Sequence, residues 1–192
     1  MAAKKVLVPI GTGSEEMEAV ITIDVLRRAG AEVIVASVEG SREVECSRKV
    51  RILADKLIQD CANDAWDLIA LPGGMPGAER LRDSSVLIDL LSKQKSQDKL
   101  HAAICASPAV AFETHGLLKG KKATAHPAFE AKLSDQSSVA SRVVVDGTLT
   151  TSKGPGTAFE FALALVKELY GAEKMREVAG PMVMYEGWDK AL

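Results

Sequence analysis

The sequence lacks the charge balance of a nucleic-acid-binding protein and the cysteine pattern of a disulfide-rich one. Its 192 residues include 24 lysines and arginines against 26 aspartates and glutamates, a formal net charge of −2 at pH 7. Nucleic-acid binding usually needs a basic excess, so we expect no nucleic-acid partner. The cysteines Cys46, Cys61 and Cys105 are odd in number and have no paired spacing, which favours free thiols in a reducing compartment.

Long apolar runs, targeting signals and metal-ligand patterns are also missing. No run approaches the roughly 20 apolar residues that span a bilayer, so we expect no membrane association. The histidines and cysteines show no metal-ligand spacing, so no metal site is expected. The opening stretch MAAKKVLVPI runs from two lysines directly into an apolar strand pattern, which predicts a cytoplasmic protein. A nuclear location and an organelle presequence that has been removed stay open.

Short β-branched runs alternate with longer helical patterns along the chain. The pattern predicts strands at 6–10, 32–37, 67–74, 101–105 and 142–147, and helices at 15–29, about 84–97, about 107–114 and 156–171. This alternation is typical of an α/β doubly wound sandwich, a mostly parallel sheet with helices on both faces. Segments 43–55 and 142–152 each have two strand-like runs around a polar turn, which predicts small antiparallel additions. The length fits a single domain, 1–192.

The loop GTGSEEMEA after the first strand begins like a dinucleotide-binding fingerprint. Glu16 stands at the third glycine position, and the carboxylates of this first helical turn would repel a pyrophosphate, so nucleotide binding is excluded. Thr12 and Glu15 fit a capping box, which assigns Glu15 to helix capping. Glu18 lies beside the apolar stripe of the helix, so we expect partial desolvation and a raised pKa. A hydrogen bond to nearby backbone is the alternative explanation for Glu18.

The stretch AAICASPA, residues 102–109, places Cys105 between a predicted strand and a predicted helix. Free cysteines are more often buried and inert. A strand-to-helix elbow, however, exposes a nucleophile at the top of an α/β sheet, and the helix N-terminus favours the thiolate. In LPGGMPGAE, Gly73 and Gly74 end a strand, where they serve either turn geometry or the presentation of N–H groups to a negatively charged oxygen.

Five motifs together resemble the DJ-1/PfpI superfamily and, within it, the deglycase branch. GSEEMEAV, LPGG, AAICASPA, KATAHP and TSKGPGTAFEFALALV occur in family order, and the match runs from residue 4 to about 184, leaving 185–192 as a tail. The resemblance implies a flavodoxin-like sandwich and a homodimer. It also implies that Cys105 is the reactive thiol and that a protonated Glu18 hydrogen-bonds its sulfur.

Further site residues follow from the same resemblance. The backbone N–H groups of Gly74 and Ala106 would line an oxyanion-type pocket, and His126 would lie nearby to orient substrate or transfer a proton. Arg28 and Arg48 would lie near the site and its dimer neighbour, where they could hold an anionic product or sulfate.

Departures from the superfamily pattern narrow the expected function. Protease-like and heat-shock glyoxalase members carry a histidine directly after the nucleophile, whereas this chain has Ala106, which argues against a cysteine peptidase. Leu53 stands where the best-known members of the branch carry a second cysteine, and Lys153 where they often carry arginine. A redox role that needs the second cysteine is therefore disfavoured.

The resemblance implies an enzyme that acts on methylglyoxal, glyoxal or early glycated protein adducts without a cofactor. Cys105 would add to the aldehyde, and Glu18 would shuttle a proton between the adjacent carbons. The alternative is an oxidative-stress sensor or redox-regulated chaperone in which Cys105 is oxidised to a sulfinate. The remaining cysteines and histidines are predicted to be spectators or structural: Cys46, Cys61, His101 and His115.

Overall fold

A central mixed sheet organises the computed structural model, which describes residues 3–191, the last of these without its side chain. The strands are β1 (Lys5–Ile10), β2 (Glu32–Ser37), β3 (Glu43–Glu45), β4 (Arg51–Leu53), β5 (Lys56–Leu57), β6 (Leu68–Leu71), β7 (Leu100–Ile104), β8 (Val143–Asp146) and β9 (Leu149–Ser152). The central sheet has the order β5-β2-β1-β6-β7-β9-β8, in which β8 pairs antiparallel with β9 and the other neighbours run parallel. The run β2-β1-β6-β7-β9 is the flavodoxin-like order, which confirms the predicted fold class.

Helices cover both faces of this sheet. They are α1 (Glu16–Arg28), α2 (Gly77–Asp83), α3 (Ser85–Ser96), α4 (Ala158–Tyr170) and α5 (Ala172–Ala179). Alternate residues of β1 point to opposite faces, so Val6 and Val8 join the apolar core beneath α1, α4 and α5, while Leu7 joins the core beneath α2 and α3. The predicted antiparallel additions are confirmed as the separate β3–β4 pair and the β8–β9 hairpin.

Two helical predictions differ from the structure. The helix predicted at about 107–114 is a π-helical segment, Pro108–Glu113, with proline in its first turn as predicted. The sequence of 154–171 predicts one apolar stripe on α4, formed by Phe159, Ala162, Leu163, Val166 and Leu169. Phe159, however, is 44% exposed. Ala158, Phe161 and Leu165 define the buried arc by their helical spacing, and Phe159, one position beyond Ala158, points away from it.

The segment after α5 is attached to the domain through a buried carboxylate. The Glu160 side chain is 1% exposed, and its Oε1 accepts hydrogen bonds from Arg142 Nε at 2.6 Å and from the Tyr185 hydroxyl at 2.5 Å. Burial alone would raise the pKa of Glu160, but these donors outweigh it and hold the pKa below its ordinary value. Trp188 also packs against the core, so the segment has a fixed place in the fold.

We expect Arg142→Leu to lower the free energy of unfolding by about 2 kcal/mol, because it leaves a buried carboxylate without its cation. Arg142 is half exposed, so solvent screens part of the interaction and the loss lies at the low end for such pairs. Urea unfolding followed by circular dichroism measures the difference. As the control, the double variant Arg142→Leu/Glu160→Leu should recover most of the loss. An unchanged free energy in the single variant would contradict this account of the pair.

Candidate active site

Cys105 occupies a backbone position that few side chains adopt. It directly follows β7, has φ of 67°, and its backbone N–H donates to the Ser152 carbonyl at 3.0 Å. Gly73 lies against it so closely that a Cβ on Gly73 would come within 2.4 Å of the Cys105 Cβ. A left-handed residue between a strand and a helical segment is the geometry of a nucleophile elbow, which confirms the predicted turn.

Glu18 projects from the first turn of α1 into the interior beneath this elbow. Its side chain is buried, and Oε2 accepts a hydrogen bond from the Gly73 N–H at 2.7 Å. Within residues 3–191, Oε1 has no hydrogen-bond partner, and the Glu18 carboxyl interacts electrostatically with the Cys105 thiol. Glu18 is therefore both desolvated and hydrogen-bonded to the backbone, so both explanations offered for it hold.

Burial shifts the protonation of both groups. Burial raises the pKa of Glu18 to about 7, as predicted, against the opposing hydrogen bond from Gly73. Burial, together with the negative charge of Glu18, raises the pKa of Cys105 to about 12, while the N–H groups of Gly74 and Ala106 act in the other direction. The Ala106 N–H, ahead of the helical segment, lowers the pKa of Cys105 in the expected direction, but desolvation and the charge of Glu18 outweigh this effect.

The carboxyl and the thiol consequently titrate as one unit. When Glu18 takes up a proton, the repulsion between its charge and the thiolate disappears, while Gly74 and Ala106 still offer their N–H groups to sulfur. Protonation of Glu18 therefore lowers the pKa of Cys105 from its raised value, although burial still opposes the thiolate. A thiolate formed in this state would be a nucleophile beside a proton donor.

A cavity of about 290 Å³ opens above the sulfur. It is lined by Glu15, Ser47, Arg48, Gly74, Met75, Cys105, Ala106, His126, Phe129 and Pro155. Its walls come from the loops that follow β1, β6, β7 and β9, from the β3–β4 turn, and from the stretch between the π-helical segment and β8. Ligands of doubly wound sheets bind in this position, outside the carboxyl ends of the strands and near the switch in strand order.

Gly74 must be glycine for the loop after β6 to fit. It has φ of 84°, and a Cβ there would lie 2.4 Å from the backbone nitrogen of Glu15. This close approach brings the β6 loop against the start of α1 and leaves the Gly74 N–H directed toward the Cys105 sulfur. Gly73 and Gly74 therefore serve turn geometry and N–H presentation together.

His126 is connected to the elbow through the main chain. Its N–H donates to the Cys105 carbonyl at 2.8 Å, and its Nδ1 accepts from the Ala128 N–H at 3.2 Å. An accepting Nδ1 assigns the proton of the neutral ring to Nε2, which makes that nitrogen a donor. The edge of the ring packs against Phe129, another wall of the cavity.

Glu15 does not cap α1, contrary to the sequence prediction. Its side chain makes no capping hydrogen bond, and Oε2 lies 2.8 Å from the Ser47 hydroxyl. Ser47 reaches this position because its N–H donates to the Ser14 carbonyl, which attaches the β3–β4 turn to the start of α1. Ser47 was missed as a site residue because nothing near it in sequence indicates this long-range contact.

The two predicted arginines lie in different places. Arg48 lines the cavity, as the resemblance implied. Arg28 pairs with Asp24 at the far end of α1, ten residues from Glu18 and so about 15 Å along the helix. Within one chain Arg28 does not reach the site, and its contribution across a dimer stays a prediction.

The other cysteines and histidines lie outside the cavity lining. Cys46 and Cys61 are buried, and burial raises the pKa of both thiols, to about 11 for Cys46. His101 and His115 hydrogen-bond backbone carbonyls. In the part of the chain from 3 to 191, no cluster of three or more His, Cys, Asp or Glu side chains could hold a metal ion. No helix there is long and apolar enough to cross a membrane.

Comparison with known proteins agrees with this geometry. The model of the DJ-1/PfpI family matches residues 4–168. The chain belongs to the DJ-1/PfpI family. It is 57% identical over 170 residues to Protein DJ-1 homolog B of Arabidopsis thaliana, covering 88% of this chain and 39% of that protein. The chain thus spans about two fifths of the length of this plant relative.

Two other members of the DJ-1/PfpI family match along nearly their whole length. A glutathione-independent glyoxalase of Caenorhabditis elegans, DJR-1.2, is 36% identical over 189 residues, which cover 96% of this chain and 99% of that protein. The solved structure of oxidized Toxoplasma gondii DJ-1 is 52% identical with a TM-score of 0.92, covering 94% of this chain and 98% of that one. The fold and the family are therefore those that the motifs predicted.

Proposed function

We propose that this chain is a cofactor-independent enzyme that converts methylglyoxal or glyoxal to the corresponding hydroxy acid. The observation that carries the proposal is the buried pair at the base of the cavity, in which the Glu18 carboxyl interacts with the Cys105 thiol and burial raises the pKa of Glu18 to about 7. The glyoxalase name of the Caenorhabditis relative supports the same reaction class. The chemistry needs a nucleophile and a proton carrier within reach of adjacent carbons, which this pair supplies.

The first step forms a carbon–sulfur bond. The Cys105 thiolate adds to the aldehyde carbon, and the carbonyl electron pair moves to oxygen, which takes the proton of Glu18 to give a hemithioacetal and leaves Glu18 ionised. The N–H groups of Gly74 and Ala106, already directed at the sulfur, stabilise negative charge during this step. His126, with its proton on Nε2, orients the second carbonyl oxygen.

The second step moves a hydrogen between carbons. Glu18 removes the proton from the former aldehyde carbon to leave an enediolate, and the same carboxyl returns that proton to the neighbouring carbon. The proton of the first hydroxyl passes to the second oxygen as the carbonyl of the thioester forms. The product is a thioester, which water hydrolyses to lactate or glycolate and the free thiol. The overall change adds one water molecule and exchanges no electrons with a cofactor.

Turnover without glutathione tests the proposal directly. Purified protein incubated with methylglyoxal alone should form lactate in step with the loss of the dicarbonyl. Absence of lactate above the protein-free control would overturn the proposed activity.

Early glycated adducts are the second substrate class to consider for this site. These adducts dissociate reversibly, so removal of free dicarbonyl lowers their amount even when the enzyme never binds them. We therefore expect the adduct to disappear no faster with the enzyme than it dissociates spontaneously. An unrelated reagent that traps the released dicarbonyl measures the spontaneous rate in parallel. Adduct loss faster than that rate would identify the adduct itself as substrate.

A sensor function is the second candidate, and the oxidized form of the Toxoplasma relative favours it. Two molecules of hydrogen peroxide would oxidise the Cys105 thiolate to a sulfinate and be reduced to two of water. The pocket offers the sulfinate oxygens the N–H groups of Gly74 and Ala106 and a protonated Glu18. Mass spectrometry after mild peroxide should show a two-oxygen gain at Cys105 before Cys46 or Cys61, and the reverse order would exclude the sensor.

A homodimer is part of the proposal, because apolar side chains are exposed on two neighbouring elements. Met17 and Val20 on α1 are 54% and 50% exposed, and Val50 and Leu53 at the β3–β4 hairpin are 48% and 67% exposed. Exposed apolar patches of this kind mark interaction surfaces. Sedimentation equilibrium should give twice the chain mass, and Leu53→Glu should shift the protein toward monomer. A wild-type monomer at micromolar concentration would contradict the dimer.

A further inference from the structure

Gly154 has an open side, which is the unoccupied space that a side chain on this residue would fill. It lies two residues after the end of β9 and is buried, yet a Cβ built on it meets only two atoms within 4 Å outside its own chain neighbours. These atoms are Cδ2 of His126 at 3.5 Å and Oε1 of Glu18 at 3.9 Å. The space that a side chain would fill therefore adjoins Glu18 Oε1, a buried carboxyl oxygen without a hydrogen-bond partner among residues 3–191.

Neither the backbone nor the packing requires glycine at this position. The dihedral angles of Gly154, φ 165° and ψ −169°, are extended and open to any residue. Its built Cβ makes ordinary contacts, whereas a Cβ on Gly73 or Gly74 would come within 2.4 Å of its nearest neighbour. Neither the backbone nor the packing therefore accounts for glycine at position 154. We attribute the glycine to the space that its missing side chain leaves open.

The substrate chemistry indicates what occupies this space, and this step rests on the proposed glyoxalase function. Glu18 must reach both the carbon bonded to sulfur and its neighbour, so the second carbon has to lie at Oε1. That carbon carries hydrogen in glyoxal and a methyl group in methylglyoxal. The open side of Gly154 adjoins Oε1 and a ring carbon of His126, so it offers room for a substituent the size of a methyl group.

We propose that Gly154 determines which dicarbonyls the enzyme accepts, by leaving room for the substituent on the carbon next to the one that Cys105 attacks. A methyl group at residue 154 competes for this room with the methyl of methylglyoxal, and not with the hydrogen of glyoxal. One misplaced methyl group in a fitted pocket changes kcat/KM by about tenfold or more.

The test compares Gly154→Ala with Gly156→Ala in the same loop. A Cβ on Gly156 meets nothing within 4 Å, neither Glu18 nor His126, so this residue is the matched control. For Gly154→Ala we expect kcat/KM to fall about tenfold on methylglyoxal and by less than about threefold on glyoxal. Gly156→Ala should leave both values within about twofold, and equal melting temperatures would show that both variants fold.

The ratio of kcat/KM on methylglyoxal to kcat/KM on glyoxal separates the possible outcomes. If the wild type is active and Gly154→Ala lowers kcat/KM equally on both substrates, or on neither, the inference is overturned while the proposed function stands. If the wild type converts neither dicarbonyl, the proposed function fails, and alkylation of Cys105 then decides the inference. Gly154→Ala should slow the branched reagent 2-iodopropanamide more than iodoacetamide, followed by mass spectrometry, and an equal effect on both reagents would overturn it.

Discussion

Cys105→Ala is expected to reduce methylglyoxal turnover to the uncatalysed background, a loss of at least about 10³-fold in kcat. Every step of the proposed reaction proceeds through the carbon–sulfur bond, so the remaining groups have no intermediate on which to act. Glu18 keeps its hydrogen bond from the Gly73 N–H, and the cavity keeps its walls. Loss of the dicarbonyl and formation of lactate, each measured against time, check the prediction.

Two controls separate this effect from unfolding or from a general thiol reaction. Cys61→Ala removes a buried thiol in the core beneath α2 and α3 and should keep turnover within about twofold. The melting temperature of Cys105→Ala should not fall below that of the wild type, because the substitution removes a thiol held against a buried carboxylate. Dicarbonyl loss that persists in Cys105→Ala would contradict the mechanism, whatever the family of the chain.

The same variant distinguishes the enzyme from a chaperone. If Cys105→Ala abolishes turnover but still suppresses the aggregation of other proteins, the two functions are separable. If suppression of aggregation needs both the Cys105 thiol and peroxide treatment, the result fits the sensor instead.

The fold could be predicted from sequence because its signals are local. Buried parallel strands such as β1 read as continuous apolar runs, and the turn at Asp146-Gly147 marks the β8–β9 hairpin. Segments whose place depends on distant partners were less predictable. Tyr185 is held by Glu160, 25 residues away in the chain, so its own neighbours in sequence do not indicate a fixed position.

The candidate site divides in the same way. Cys105 and Glu18 stand at element boundaries that strand and helix patterns locate, and the family motifs identify them. Glu15 was misassigned because Ser47, 32 residues away, lies beside its carboxylate, so the side chain does not bond its own helix. The pKa of Cys105 could not be deduced from its place before a helical segment, since burial beside Glu18 depends on the packed structure. The open side of Gly154 is likewise a property of three-dimensional packing.

Glu18→Gln is expected to lower kcat by at least about 10²-fold, because glutamine cannot carry the proton between the two carbons. The nucleophile should survive. A neutral side chain at this position removes the charge that opposes the thiolate, so the pKa of Cys105 should fall and alkylation by iodoacetamide at neutral pH should become faster. Slower turnover combined with a more reactive thiol distinguishes proton transfer from a merely structural role for Glu18.

Stability should change in the opposite direction to activity in the same variant. The pKa of Glu18 is raised from 4.5 to about 7, so the folded state binds this proton more tightly than the unfolded chain does. The contribution is fully present below pH 4.5 and is lost as pH rises through about 7. Glutamine does not titrate, so Glu18→Gln should exceed the wild type in free energy of unfolding by about 3 kcal/mol at pH 8, and the difference should shrink toward pH 5. Urea titrations at the two pH values measure it, and a variant less stable than wild type at pH 8 would show that Glu18 is ionised in the folded protein without penalty.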